Sequence, residues 1–397
     1  MIVRHSSIVT RQSQLLPLAV VAAAIFGGVP PTLAAQTTAR LTGYWEHQFS
    51  VGYRRDRWTQ LDYDRFRADV TARAGRSTSA AAAVVWQLYR GNTRVFLSDA
   101  LPDYLPVPDS AFVELENRHY LNHAYFTIRP HPFEITAGKQ YLTWGAAWAF
   151  NPTELFRPKD VFEPTYEREG VGALSVRLPL GPLSNVVVAY APEGGFETSA
   201  KVLRARHHLS GFDISALVAE IHERPAPAGI DLPQPILEQR HTMGGDITGE
   251  LFGLGVWAEA TWSERGDETW VEATLGGNYT LSNGTLLLIE GYYNGRGVWS
   301  EPYPITLWLA RIYGDGRTLG KATVYGLASK PIGDLWTVAA SAIANPGDGS
   351  AALIPAISYA FAENVDLLLN LVLSIGPDGT EYGSGSQGGF VRGRVYF

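Results

Sequence analysis

Gly-Gly-Phe-Val-Arg-Gly-Arg-Val-Tyr-Phe, residues 388–397, is the last stretch of the sequence and the most informative one. Val391 and Val395 fall on one side of an extended chain, and Arg392 and Arg394 fall on the other. This period of two predicts a β-strand with one apolar and one polar face. The same alternation recurs along almost the whole sequence. It therefore predicts a transmembrane β-barrel with lipid outside and water inside.

The N-terminal residues 1–35 predict a secretory signal peptide. Arg4 and Arg11 precede an apolar stretch over 15–30, and small residues follow it. These are the parts of a cleavable leader, and the apolar part is shorter than the roughly 20 residues that a transmembrane helix needs. An uncleaved anchor is the alternative. We predict that the mature chain, residues 36–397, forms the barrel.

The composition of the sequence agrees with this fold class. Only 18% of the residues are charged and 46% are hydrophobic, whereas roughly 25% of the residues of soluble domains are charged. The 11 Trp and 19 Tyr suit aromatic girdles at two membrane interfaces. The net charge of −7 argues against a nucleic-acid partner, and the absence of cysteine excludes disulfides and thiolate metal sites.

Alternation and turn residues predict an all-β, antiparallel, up-and-down barrel of 18 strands. Short and long connections alternate along the chain, as expected for periplasmic turns and extracellular loops. An even number of strands brings both termini to the periplasmic side. A barrel of 16 strands is the alternative if two of the predicted strands do not form. The predicted strands are 40–54, 60–74, 80–90, 118–129, 132–141, 170–180, 183–192, 196–207, 211–223, 238–250, 253–264, 268–281, 284–294, 318–330, 334–345, 351–362, 364–375 and 387–397.

The cost of exposing charge to lipid decides which face of each strand points inward. An Arg that faces lipid at the bilayer midplane costs about 2–4 kcal/mol, so the charged faces must line the lumen. The charged residues that we predict to line the pore are Arg65, Arg67, Arg73, Arg204, Arg206, Arg240, Arg392, Arg394, Glu46, Glu259, Glu272, Glu290 and Asp366.

These charges allow two interpretations. Closure of the barrel places the last strand beside the first, which predicts a basic arc on the inner wall. Its members are Arg65, Arg67, Arg392 and Arg394. The acidic residues would form a counterpart, and opposed arcs would create a transverse field that orients solutes. The alternative is that the lumen charges pair and neutralise one another.

The long connection 142–169 has an unusual composition. It contains three prolines and many aromatic residues, which a freely solvated loop would not need. We predict that it folds inward and narrows the pore, because inserted loops are a recurrent feature of barrels. The alternative is a loop packed on the extracellular rim. The residues expected to shape the constriction are Trp144, Gly145, Asn151, Pro152, Phe156, Lys159 and Asp160.

Each of these residues has an expected role. Gly145 would let the chain leave the wall and bend inward. Asn151-Pro152 and Phe156 would brace the segment across the lumen. Lys159, Asp160 and Glu163 would border the remaining opening.

The same region resembles a known family. Gly138-Lys139-Gln140, the pair Trp144-Gly145 and the run 151–158 resemble elements of porin-like barrels of the alginate-export type and related uncharacterised barrels. The likeness is close over this segment and only architectural elsewhere. It implies a passive outer-membrane channel. It does not imply alginate as the solute, because the predicted lumen is mixed in charge rather than strongly basic.

The sequence predicts a channel rather than an enzyme. No nucleophile elbow and no zinc-ligand spacing is present, so we predict no catalytic residue, metal or cofactor. The predicted function is passive diffusion or export of small polar or charged solutes. Alternatives are a barrel that sheathes or docks a periplasmic partner and, less favoured, a barrel-embedded hydrolase. Other expected partners are outer-membrane lipid, lipopolysaccharide and the assembly machinery, for which Phe397 would be the signal.

Overall fold

The computed structural model describes residues 37–105, 107–108, 110–223, 237–313, 317–385 and 387–397. The predicted signal peptide lies outside the described residues. None of the helices in the described part of the chain is long and apolar enough to cross a membrane.

Eighteen strands form one closed antiparallel sheet, and two short strands form a separate hairpin. The hairpin consists of β4 (Arg94–Phe96) and β5 (Phe112–Glu114). The barrel strands are β1 (Thr37–Arg54), β2 (Arg57–Ala74), β3 (Thr78–Gly91), β6 (Arg118–Ile128), β7 (Glu134–Gln140), β8 (Val171–Pro179), β9 (Asn185–Glu193), β10 (Gly195–Leu209), β11 (Phe212–Glu223), β12 (Glu238–Leu251), β13 (Leu254–Arg265), β14 (Glu268–Thr280), β15 (Leu286–Asn294), β16 (Ala322–Ile332), β17 (Trp336–Asn345), β18 (Ser350–Ala362), β19 (Val365–Ile375) and β20 (Gln387–Tyr396).

The barrel closes between its first and last strands. Glu46 of β1 lies opposite Arg65 of β2 on one side and opposite Arg394 of β20 on the other. Phe397 extends this seam, because its backbone N–H and carbonyl each bond Gly43 at 3.0 Å. The predicted fold class is confirmed, and the alternative of 16 strands is wrong. Strand limits differ from the prediction by a few residues, as they do for β16.

The two faces of the barrel have the polarity that the alternation predicts. On β19, Leu367, Leu369, Leu371 and Leu373 all face outward and are exposed, whereas Asn370 between them points inward and is buried. The outward face of this strand is therefore apolar and its inward face is polar.

Three elements of the long connections were not predicted from the sequence. They are the β4–β5 hairpin, helix α1 (Leu97–Ala100) and helix α2 (Ile305–Tyr313). Leu101, Tyr303, Trp308 and Leu319 pack together between these connections. Both connections extend from the same end of the barrel, so the cluster covers part of that end.

Candidate pore and lumen loop

The connection between β7 and β8, residues 141–170, lies inside the barrel, and we call it the lumen loop. Its central residues Phe150, Asn151, Thr153 and Glu154 are almost completely buried although they belong to no helix or strand. Gly145 has φ +92°, and a side-chain carbon there would lie 2.6 Å from a carboxylate oxygen of Glu259. A glycine is therefore required where the loop turns onto the inner wall.

Glu259 of β13 holds the beginning of the lumen loop. Its carboxylate accepts hydrogen bonds from the backbone N–H groups of Ala146, Ala147 and Thr153. It also accepts the Asn151 amide at 3.0 Å and the Thr153 hydroxyl at 2.8 Å. One buried carboxylate therefore gathers donors from a stretch that has no regular structure to satisfy them.

Glu290 of β15 does the same for the next turn of the loop. Its oxygens accept the backbone N–H groups of Trp148 at 2.7 Å, Ala149 at 3.0 Å and Phe150 at 2.7 Å. The Trp257 indole donates to the same carboxylate at 2.9 Å. We call Glu259 and Glu290 the acidic anchor, and residues 144–154 the first segment of the loop.

Apolar packing accompanies these hydrogen bonds. The ring of Phe150 stacks on Tyr292, with 4.6 Å between centroids and 3° between planes. Ala147 and Ala149 join the same cluster, which includes inner-wall residues from β13 to β18. The first segment therefore covers an apolar part of the wall that would otherwise face water.

Residues 163–168, the second segment, contact a different part of the wall. Arg392 of β20 binds Glu163 through two hydrogen bonds of 2.8 and 2.9 Å. Glu167 accepts hydrogen bonds from Arg67 at 2.6 Å and Arg65 at 3.2 Å. We call Arg65, Arg67 and Arg392 the basic anchor.

Tyrosines reinforce the basic anchor. The Tyr166 hydroxyl donates to Glu46 at 2.8 Å and accepts from Arg65 at 2.6 Å. Tyr44 donates to Glu167 at 2.8 Å. Every charged group of this network thus has a partner of opposite charge or a hydroxyl group within hydrogen-bond distance.

The two anchors lie on different sides of the lumen. Counting round the ring of strands, β13, which carries Glu259, is nine strands from β2 in either direction, whereas β15 is five strands from β20 in the shorter direction. Glu259 therefore faces Arg65 and Arg67 across the barrel, and the lumen loop contacts both walls.

Two cationic side chains form hydrogen bonds within the lumen loop. Arg168 donates to a carboxylate oxygen of Glu154 at 2.9 Å. None of the described residues donates to the other oxygen. Burial raises the pKa of Glu154 to about 7, although Arg168 opposes the shift. The ammonium group of Lys159 donates to the carbonyls of Ala147 at 2.7 Å and Trp148 at 2.9 Å, and burial lowers its pKa.

The remaining arginines that we predicted in the lumen do lie on inner faces. Arg204 contacts Asp246 at 3.2 Å, and Arg206 contacts Asp213 at 2.5 Å. Arg240 lies 3.8 Å from Glu272. Arg73 shares the inward parity of Arg65 and Arg67 and is exposed near the end of β2.

The structure corrects the predicted acidic counterpart. Glu46 does not oppose the basic arc but lies within it, paired with Arg394. Asp366 lies opposite Arg394 in the register of β19 and β20. Only Glu259, Glu272 and Glu290 belong to the far wall. Most of the lumen charges are paired, as the second interpretation held.

Two predictions about single residues were wrong. Phe156 does not cross the lumen, because its ring packs on Trp144 at 6.0 Å, against the apolar inner wall of β8 to β11. Arg392 does not face water but is only 7% exposed, because Glu163 of the loop covers it. Pro152 is buried beside Asn151, and Asp160 is exposed, with its carboxylate accepting the N–H of Phe162 at 2.9 Å.

Two groups that contact the basic arc, Tyr166 and Glu167, were not predicted from the sequence. A signal was present, because Glu163, Glu167 and Glu169 fall within seven residues of a loop already expected inside a basic lumen.

Comparison with known proteins finds relatives in overall shape alone. No family model and no curated protein matches the chain. A triple mutant of the porin of Rhodopseudomonas blastica is 12% identical, with a TM-score of 0.46, and the match covers 91% of this chain and 100% of that one. A loop-deletion mutant of OmpT, an outer membrane protein of Vibrio cholerae, is 9% identical, with a TM-score of 0.45, and the match covers 91% and 99%. The fold assignment rests on the strand pairing itself.

Proposed function

We propose that the protein is an outer-membrane channel through which small polar or charged solutes diffuse, and that the lumen loop sets its width. One observation carries this proposal. A closed ring of 18 strands has an apolar exterior and a charged interior, and a loop anchored to two walls occupies part of that interior. A barrel of this size has room for an aqueous path beside such a loop.

A cavity of mixed polarity at the end of the barrel that carries both termini supports a path for solutes. It has a volume of about 360 Å³, and its lining combines polar residues such as Ser358, Asp366 and Arg394 with apolar ones such as Leu335 and Leu367. Charges of both signs and hydroxyl groups favour small hydrophilic solutes over apolar ones. We propose that this end faces the periplasm. The likeness of the loop to alginate-export barrels agrees with a passive channel, and the mixed charges do not favour a strongly anionic polymer.

The decisive experiment is single-channel recording of the mature protein in planar bilayers. We expect discrete, passive conductance steps with weak ion selectivity, because most lumen charges are paired. Absence of conductance from a correctly folded barrel, together with a stoichiometric periplasmic protein that copurifies, would support a sheath instead.

We also propose that Phe397 acts in assembly by the outer-membrane machinery. Its ring stacks on Phe66 at 5.6 Å on the outer surface, and its backbone closes the seam with β1. Deletion of Phe397 should slow the appearance of heat-modifiable barrel in pulse-labelled cells. Phe361→Ala, which changes an exposed aromatic residue of β18 away from the seam, is the control.

A further inference from the structure

Ionisable side chains of β1, β2 and β3 lie close together on the outer face of the barrel. Nδ1 of His47 is 3.0 Å from one carboxylate oxygen of Asp64, and the Arg90 guanidinium forms an ion pair with the other oxygen. Asp62 lies opposite Arg90 in the register of β2 and β3 and therefore shares this face. A groove of about 550 Å³ lies here, and we call its surface the outer patch. It is lined by His47, Asp64 and Arg90 and by the apolar side chains Trp45, Phe66, Trp86 and Leu88.

Along β1, apolar residues flank the outer patch on both sides. On the outward side of β1, His47 stands between Trp45 and Phe49, and Val51 and Tyr53 continue the belt. Asp64 is paired directly with His47 in the register of β1 and β2. Lipid chains cannot hydrogen-bond to such groups, and an exposed charge at this depth is unfavourable.

We propose that the outer patch is the contact surface for a second copy of this chain, in a two-fold dimer formed within the membrane. The proposal rests on the membrane placement proposed above. The patch contains both signs of charge, so a two-fold axis brings Arg90 of each copy towards the carboxylates of the other. Polar groups on apolar surfaces hold membrane segments together in the same way. Two carboxylates beside one guanidinium disfavour a lipid phosphate as the occupant.

Cross-linking in the membrane tests this proposal, because the chain contains no cysteine of its own. Leu88→Cys places a thiol within the groove, where the native side chain is 51% exposed. Treatment of membranes with a bismaleimide should yield a covalent dimer. Leu371→Cys, on the apolar outer face of β19, is the matched control and should remain monomeric.

A second variant separates specific contact from random collision. Asp64→Arg in the Leu88→Cys background should abolish the covalent dimer, because each patch then carries excess positive charge. Heat-modifiable migration of the variant verifies folding, and its conductance should persist because these side chains do not line the lumen. A failed dimer with normal conductance would thus leave the channel proposal intact. Equal cross-linking at both cysteine positions, no cross-linking at Leu88→Cys, or a monomer with bound lipid in native mass spectrometry would overturn the dimer.

Discussion

The first segment of the lumen loop is held mainly by its backbone N–H groups, whereas the second segment is held by its side chains. Glu259 and Glu290 accept six backbone N–H groups from the first segment. On the other wall, Arg392 and Arg67 bind carboxylates of the second segment. The acidic anchor therefore depends on the shape of the loop, and the basic anchor depends on its charge.

This difference assigns different tasks to the two walls. The acidic anchor buries its carboxylates against amides and apolar rings, so its loss should free the segment and widen the pore. The basic anchor consists of arginines whose charge is cancelled partly by the loop, so its loss should change ion selectivity more than width.

Removing both contacts should have the largest effect. Deletion of 146–165 removes all six backbone donors to the acidic anchor together with Glu163, and it shortens the connection that carries Glu167. It removes no strand residue, so the barrel should still fold. We expect conductance in planar bilayers to rise several-fold, because the cross-section of the lumen is no longer shared with the loop. Unchanged conductance from a heat-modifiable barrel would assign the constriction to other groups.

Weakening the acidic anchor alone should have a smaller effect of the same sign. In the double variant Glu259→Gln and Glu290→Gln, amide NH₂ groups would face backbone donors, and charge-assisted hydrogen bonds of about 1.5–3 kcal/mol each would be lost. Conductance should rise and current noise should increase. Glu272 on the same wall accepts a hydrogen bond from Tyr292 and none from the loop backbone. The control variant Glu272→Gln should therefore change neither the conductance nor the current noise. Equal effects of the two variants would contradict the anchor.

Weakening the basic anchor should alter selectivity instead. Glu163→Gln together with Glu167→Gln removes the counter-charges that the loop supplies to Arg65, Arg67 and Arg392, and glutamine can retain part of the hydrogen bonding. Asp69 still pairs with Arg67, and Glu46 still lies 3.9 Å from Arg392. Reversal potentials in a salt gradient should shift towards anions, with little change in conductance. Glu169→Gln, whose carboxylate pairs with Lys139, is the control. A shift no larger than that of the control would mean that these arginines do not face the permeation path.

The pH dependence should be the smallest effect. The pKa of Glu154 is about 7 in the docked loop, against an ordinary value of 4.5, which it regains when the loop is released. At pH values between these two pKa values, Glu154 is protonated when the loop is docked and ionised when the loop is released. Docking therefore becomes weaker as the pH rises through this interval and stays constant above it. Conductance should increase modestly over the same interval. The same pH curve in Glu154→Gln would exclude this group.

The wall of the barrel could be predicted from the sequence because each strand carries its own pattern. Lipid outside and charge inside impose a period of two, and Arg65, Arg67 and Glu259 each followed that rule. The inward position of the loop could also be inferred, since Trp144 and Phe150 need a covered surface.

The anchors could not be predicted in the same way. Backbone N–H groups are present at every residue except proline, so nothing in the sequence marks Ala146 or Ala149 as donors to Glu259 or Glu290. The contact between Arg392 and Glu163 joins residues 229 positions apart and depends on the path of the loop. Phe156 illustrates the same limit, because its aromatic character predicted burial but not the wall on which it packs.

Cross-linking of Glu163→Cys to Arg392→Cys within one chain tests the central claim most directly. The chain has no other cysteine, and the Glu167 contacts and the acidic anchor remain to hold the loop in place. If the lumen loop spans the barrel, a short bismaleimide should join the two thiols in intact membranes and give an intramolecular adduct in nearly every folded barrel. Full single labelling of both cysteines without that adduct would place the loop outside the lumen and contradict the account.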